Sequence, residues 1–444
     1  MTHADVVVVG AGTAGAAVAR ACARAGLTVV CLDRGRLDQA GAQWVNGVPA
    51  WCFEQGELDL PVWPERRGGG GVFHMVAGWG PERLSFPTEG HLEVDMRLLV
   101  ARLQREAVAA GATLRGEVAV TGWDLTGGRE GGALVHTADG TIETRWVVDA
   151  AGLKGASRFA GAPRPVPASE LCVAAQEVRD VVDVAGAHAF LAHAGAGEGE
   201  AFVYTGVAGG YSIVNVQVHL HGEDGPTVSI LTGSIPGLGH ASGVSLLQDF
   251  VASQPWIGPR RFGGSRAIPL VPPLASLADG PLIRVGDAGR QVFAAHGSGI
   301  GAQLVLAAQL AEVLAAGGTG WDWNVQWQRR WGGLMCASVI FARFSRTLDP
   351  TTLADLFNTG MLSPGLAEAG LSQRPMVPTL GDVLTIARGA PRAPEIVLKM
   401  APIVVRMWRV ERHHRWYPHE PDGLARWVAH RDELTGDPVE DQHG

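Results

Sequence analysis

The sequence predicts an α/β protein with a Rossmann-type unit on a parallel sheet, an inserted mixed β-sheet, and a helical C-terminal region. Three observations carry this reading. Val6–Val9 is a short β-branched run, followed by Gly10-Ala11-Gly12-Thr13-Ala14-Gly15, an alanine-rich stretch to Ala25 and a second apolar run at Leu27–Leu32. Together these read as one βαβ unit. Residues 201–232 hold three strand-like runs, FVYTGV, YSIVNVQVHL and TVSILT, parted by turn clusters at Ala208–Gly210 and Gly222–Pro226, as in an antiparallel sheet. Beyond Gly320 helix formers, arginine and tryptophan dominate, with no further glycine fingerprint.

The remaining elements follow in chain order. Leu98, Leu99, Leu103 and Ala107 recur at helical spacing within 92–110. Ala133–Thr137 turns at Asp139-Gly140 into Thr141–Trp146, a hairpin that runs through Val147-Val148 into DAAG. The Gly68–Gly71 run reads as a mobile loop. Val285–Leu314 is a strand, a glycine-rich loop and a helix. Trp323, Trp327 and Trp331 share one helical face, which suits packing better than ligand binding. Glu395–Pro418 is apolar at first and arginine-rich later. It reads as a buried helix interrupted at Pro402, or as a segment in peripheral contact with an anionic membrane.

Composition bounds the function. With 46% hydrophobic and 18% charged residues in 444, the chain has material for a large core and is not disordered. A net charge of −8 disfavours nucleic acid as a partner. No uncharged apolar run reaches the roughly 18 residues of a membrane span. Five scattered cysteines without a C-x-x-C pair suit a reducing, cytoplasmic setting and give no metal site. Lysine occurs only at Lys154 and Lys399.

The chemistry lies in two glycine segments. Gly10-x-Gly12-x-x-Gly15 follows a strand and opens a helix: Gly10 permits the tight turn, Gly12 lets a pyrophosphate approach, and Gly15 lets the helix pack on the strand. The free N–H groups of that helix, from Thr13 and Ala14 on, suit phosphate. Asp33, ending the second strand, suits a ribose diol. The second segment is Gly286-Asp287-Ala288 followed by His296-Gly297-Ser298-Gly299-Ile300-Gly301. A carboxylate there suits ribityl hydroxyls, and a helix N-terminus favours the negative edge of a reduced flavin.

On these residues the sequence resembles FAD enzymes with the p-hydroxybenzoate hydroxylase architecture, over roughly residues 1–320. The order of Gly10–Gly15 with Asp33, Val147–Gly152 and Gly286-Asp287 makes the resemblance specific. It implies FAD held by Gly10, Gly12, Thr13, Ala14, Gly15, Asp33, Arg34, Val120, Gly152, Gly286 and Asp287, with Gly297, Ser298, Gly299, Ile300 and Gly301 at the isoalloxazine. It also implies a discontinuous FAD domain (1–44, 91–162, 281–320), a substrate domain (45–90, 163–280) and a helical region (321–444). Ala151-Gly152 replaces the hydroxylases' D-G pair, and Asp149 gives a D-A-x-G form similar to halogenases and lycopene cyclases. Halogenases, however, carry a lysine in the first part of the chain and a W-x-W-x-I-P motif, and both are missing here. FGGSRAIPLVPPL (Phe262–Leu274), GSGI and GGY (Gly209–Tyr211) look like geranylgeranyl reductases. Those enzymes carry a functional cysteine in the region of Cys52, but its C-G context is absent here.

The function expected is that of an FAD-dependent oxidoreductase acting on a bulky, small-molecule apolar substrate, first by hydride-level chemistry at a carbon–carbon double bond. The alternative is oxygenation through a flavin hydroperoxide; redox-neutral cyclisation, halogenation and non-enzymatic flavin binding rank lower. His296 is the expected proton donor. Tyr211, expected to begin the central strand of the substrate sheet, would orient substrate. With one nucleotide fingerprint, taken by FAD, electrons are expected from a separate flavin reductase or ferredoxin-like partner.

Overall fold

The computed structural model describes residues 2–126, 131–156, 163–377 and 379–437; the domain boundary expected at 162 lies outside the described residues. The first sheet runs in the order Ala278–Asp279, Leu282–Arg284, Gly140–Asp149, Thr2–Val9, Val29–Leu32, Thr113–Arg115. The last five strands are parallel. Val6 and Val8 face a core shared with the helices Thr13–Arg24, Met96–Ala109 and Ile300–Ala315. Val7 and Val9 face a second core with Val135, Ile142 and Trp123. Burial on both faces explains the unbroken valine run. The predicted hairpin forms, with an added third strand, Val120–Leu125, pairing antiparallel to Ala133–Thr137.

The second sheet has seven strands, in the order Ile257–Pro269, Leu171–Val181, Thr227–Ser234, Ile213–His219, Ala201–Thr205, Val72–Ala77, Arg83–Pro87. All neighbours are antiparallel except Ala201–Thr205 with Val72–Ala77. One face is covered by Ala187, Leu191, Leu247 and Phe250, from the helices Val184–Ala194 and Gly243–Ala252.

A three-stranded sheet, Val45–Pro49, His91–Asp95 and Arg66–Gly69, pairs segments on either side of the division expected at 90/91. It also corrects the mobile-loop reading of Gly68–Gly71: Gly68 and Gly69 pair with Glu93 and Leu92. A Cβ on Gly69 would lie 2.2 Å from the His91 carbonyl oxygen, so glycine serves a close strand approach. The period-2 run His91–Asp95 is strand rather than helix, and the Asp95 carboxylate caps the helix by accepting from Arg97 N–H at 3.1 Å.

The C-terminal region is helical. Trp323 and Trp327 are buried in the first core, and Trp331 stacks on Trp51 with centroids 5.7 Å apart. Pro394–His414 is one continuous helix despite Pro402. Its two halves share a single inner face, Ile396, Met400, Ile403 and Val410, packed on the core, which holds the helix together where the proline removes a bond. Among the described residues no helix is long and apolar enough to cross a membrane.

Candidate active site

One cavity of about 910 Å³ runs from the parallel sheet to the second sheet and the C-terminal helices. Its first end is main chain. Gly10 has φ +101°, and a Cβ there would stand 2.6 Å from the Ala150 carbonyl oxygen. A Cβ on Gly15 would stand 1.8 Å from the Gly10 carbonyl oxygen. Gly10, Gly12, Thr13 and Ala14 line the cavity; Gly15 sits behind them and permits the approach of helix to strand. The N-cap, Gly12, offers no side-chain acceptor, so the first N–H groups of the helix are open to an anion. The Asp33 carboxylate is aimed by two backbone donors, Ala11 N–H at 2.8 Å and Gly35 N–H at 2.9 Å. Arg34, Val120 and Gly152 line the same end. Asp149 does not line it; its carboxylate accepts from Ala151 N–H at 3.0 Å, and burial pushes its pKa up to about 6.

The middle of the cavity joins both glycine segments. Asp287 lines it, raised by burial and drawn back down by the Arg266 guanidinium. Arg266, to which the sequence assigned no role, also donates to the Gly41 carbonyl and braces the cradle. Gly286 stands just outside the wall, where a Cβ would meet Ala14 Cβ at 3.1 Å. Gly297, Ser298, Gly299 and Ile300 line the cavity. Gly299 caps the helix Ile300–Ala315 with no side-chain bond, so a second open helix N-terminus meets the same space. Gly301 points elsewhere: a Cβ there would lie 2.5 Å from Cys52 Sγ. Cys52 is fully buried and burial drives its thiol far up, so it packs beneath this loop as an unreactive group.

Both expected catalytic residues, Tyr211 and His296, line the cavity. Tyr211 precedes the strand Ile213–His219, because Ser212 curls the chain by accepting from Ala208 N–H at 2.8 Å and donating to Gly209 O at 2.5 Å. Its hydroxyl donates to Ala294 O at 2.7 Å, and burial holds its pKa well above the usual range. It therefore braces the loop ahead of Gly297. Burial, with His91 nearby, depresses His296 to about 4, so its ring is neutral at pH 7, and Nε2 has no hydrogen-bond partner among the described residues.

His91 was missed. It lines the main cavity and a side cavity of about 70 Å³ that Glu93, Asn215 and Gln217 also line. Burial depresses it to about 4, and its Nδ1 has no hydrogen-bond partner among the described residues. A lone histidine between Gly90 and Leu92 gives no sequence signal.

The far end is apolar: Phe73, Met75, Leu231, Ile268, Phe344 and Leu356 are among its walls. Neither lysine of the chain lines the cavity.

These features fit FAD. Two uncapped helix N-termini, an aimed carboxylate and backbone that leaves no room for a Cβ all face one elongated space. The fold and site thus fit an FAD-dependent oxidoreductase. Residues 5–57 match the family model "FAD dependent oxidoreductase". The chain is 27% identical over 179 residues to digeranylgeranylglycerophospholipid reductase of Sulfolobus acidocaldarius, a match covering 37% of this chain and 38% of that protein. Its fold is similar to a geranylgeranyl bacteriochlorophyll reductase-like protein of Thermoplasma acidophilum, with TM-score 0.70, 16% identity, and 91% of this chain and 100% of that one covered. It is also similar in fold to the flavin-dependent brominase Bmp2, with TM-score 0.58, 15% identity, and 90% and 100% covered.

Proposed function

We propose that the chain catalyses FAD-dependent reduction of a carbon–carbon double bond in a long apolar molecule. The observation that carries this is the continuity of the FAD cradle with an apolar chamber walled by Phe73, Met75, Leu231, Phe344 and Leu356. The similarity to the Sulfolobus digeranylgeranylglycerophospholipid reductase supports the same class of reaction and substrate. Bound FAD supplies the hydride equivalent.

The chain's own residues supply placement and the proton. The apolar walls exclude water and align the substrate. Reduction of C=C needs one proton per hydride, and His91 and His296, which both line the cavity, are the proposed carriers of it. Each ring is neutral at pH 7. A neutral imidazole passes a proton by accepting one on its free nitrogen as it releases the other. Because His91 lines both cavities, it stands between the side cavity and the main one; about 70 Å³ has room for a few waters. Electrons are proposed to come from a separate flavin reductase or ferredoxin-like protein.

The test is anaerobic incubation of dithionite-reduced protein with a digeranylgeranyl glycerophospholipid, read by mass spectrometry. A gain of two hydrogens per double bond is expected. An oxygen-dependent gain of one oxygen atom would instead establish the oxygenase. Rapid mixing with NADH and NADPH should reduce the flavin only slowly; saturable, fast reduction by either would overturn the external donor.

A further inference from the structure

The helix Pro394–His414 has two unlike faces. Its inner face, Ile396, Met400, Ile403, Met407, Val410 and His414, packs on the core. Its outer face presents Leu398, Val405 and Trp408, which are 76%, 54% and 60% exposed. The preceding helix, Leu380–Gly389, adds Leu380 and Leu384 at 85% and 57%. Large apolar side chains gathered in one stretch of surface at such exposure mark a contact site.

The charge around them says what covers them. Segment 379–416 carries seven arginines and lysines against three carboxylates, an excess of four positive charges in a chain whose net charge is −8. Arg409, Arg412 and Arg415 flank Trp408 and Trp416 at the end of the helix, and the Arg412 guanidinium sits 5.6 Å from the Trp408 ring centre. Apolar side chains, tryptophan and arginine on one exposed helix face suit the boundary between acyl chains and anionic headgroups. A helix of 21 residues spans about 30 Å lying flat. The helix Pro394–His414 and the segment ahead of Leu380 also wall the cavity: Met400 and Met376 line its far end, while their neighbours Leu398 and Val377 face outward.

We infer that the outer face of Leu380–Gly389 and Pro394–His414 is a docking surface for an anionic lipid bilayer, which sets the apolar end of the cavity against the membrane. The docking stands on exposure and charge alone; the delivery of a lipid substrate through it rests on the proposed function.

Co-sedimentation of the purified holoprotein with vesicles of phosphatidylglycerol and phosphatidylcholine in equal parts tests it, independently of turnover. Binding is expected to fall at least tenfold with pure phosphatidylcholine and at least tenfold for Trp408→Glu. The charge-reversal pair Arg409→Glu and Arg412→Glu should lose most binding at low salt. These positions are exposed, so flavin content and melting temperature should stay at wild-type values, which separates lost docking from lost fold. Equal binding to neutral vesicles would overturn the assignment to anionic lipid. So would absence of binding, or a dimer in sedimentation velocity that Leu398→Glu dissociates, since a second copy would then cover the face.

Discussion

The cavity's two ends are built on opposite principles. At the nucleotide end the wall is main chain: Gly10, Gly12 and the helix start at Thr13, with Asp33 held by two backbone N–H groups. At the far end the wall is side chains drawn from strands at 72–77 and 227–234 and helices at 333–345, 350–358 and 394–414. A main-chain wall rejects any added atom. A wall of aliphatic and aromatic side chains tolerates exchange at constant volume. The first end therefore fixes what cofactor is held, while the second is free to vary with substrate.

The largest expected effect breaks the first end. In Gly15→Val the new Cβ would stand 1.8 Å from the Gly10 carbonyl oxygen and 3.2 Å from Ala150 Cβ. Helix and strand must separate, so the protein should lose FAD and more than about 4 kcal/mol of stability. Flavin absorbance and thermal melting check this. A full complement of FAD in this variant would end the distinction between the two walls.

The second effect lies where the ends meet. Burial depresses His91 and His296 from 6.5 to about 4 in the folded chain. The unfolded chain binds these protons more readily. The stability they contribute is thus complete above pH 6.5 and is lost as pH falls from there through 4. A shift of this size corresponds to about 3 kcal/mol per group. Denaturant melts between pH 7 and 4.5 should show the fall, and replacing both histidines by glutamine should flatten it. An unchanged slope in the double variant would place the acid lability elsewhere.

This contrast also explains what was legible in the sequence. The cradle is local: strand, glycine spacing and acid lie within 33 residues, so spacing alone reveals them. The same holds for the hairpin at Asp139-Gly140. The chamber has no such signature, because Phe73, Leu231 and Phe344 become neighbours only through tertiary packing. His91 and Arg266 were silent for that reason. Tyr211 was misplaced by two residues because Ser212 ends the turn through side-chain bonds that a strand-like composition conceals. Gly69 read as looseness, although the paired strand behind it leaves no space for a side chain.

A smaller effect separates bracing from catalysis. Tyr211→Phe removes the donor to Ala294 O, leaving a buried carbonyl without that partner. The cost should be about 1–3 kcal/mol. If Tyr211 only braces the loop, turnover should fall by a similar factor at every pH. A pH-dependent loss would show that its hydroxyl exchanges a proton in the reaction.

The smallest effect sharpens the second end. Leu356, on the helix Pro350–Asn358, is buried, packs with Phe344 and Leu353, and lines the apolar chamber. Leu356→Met keeps nearly the same volume while straightening a branched side chain. Its stability cost should be below about 1.5 kcal/mol, and FAD content should not change, because no cradle atom moves. The chamber's shape does change, so KM for a branched hydrocarbon substrate should shift by a few fold while kcat stays within a factor of two, as for a contact made equally before and during reaction. Flavin stoichiometry, melting temperature and steady-state kinetics on the same preparation check all three. Loss of FAD from this variant would show that the two walls are coupled, and that the cradle depends on chamber packing as much as on its own backbone.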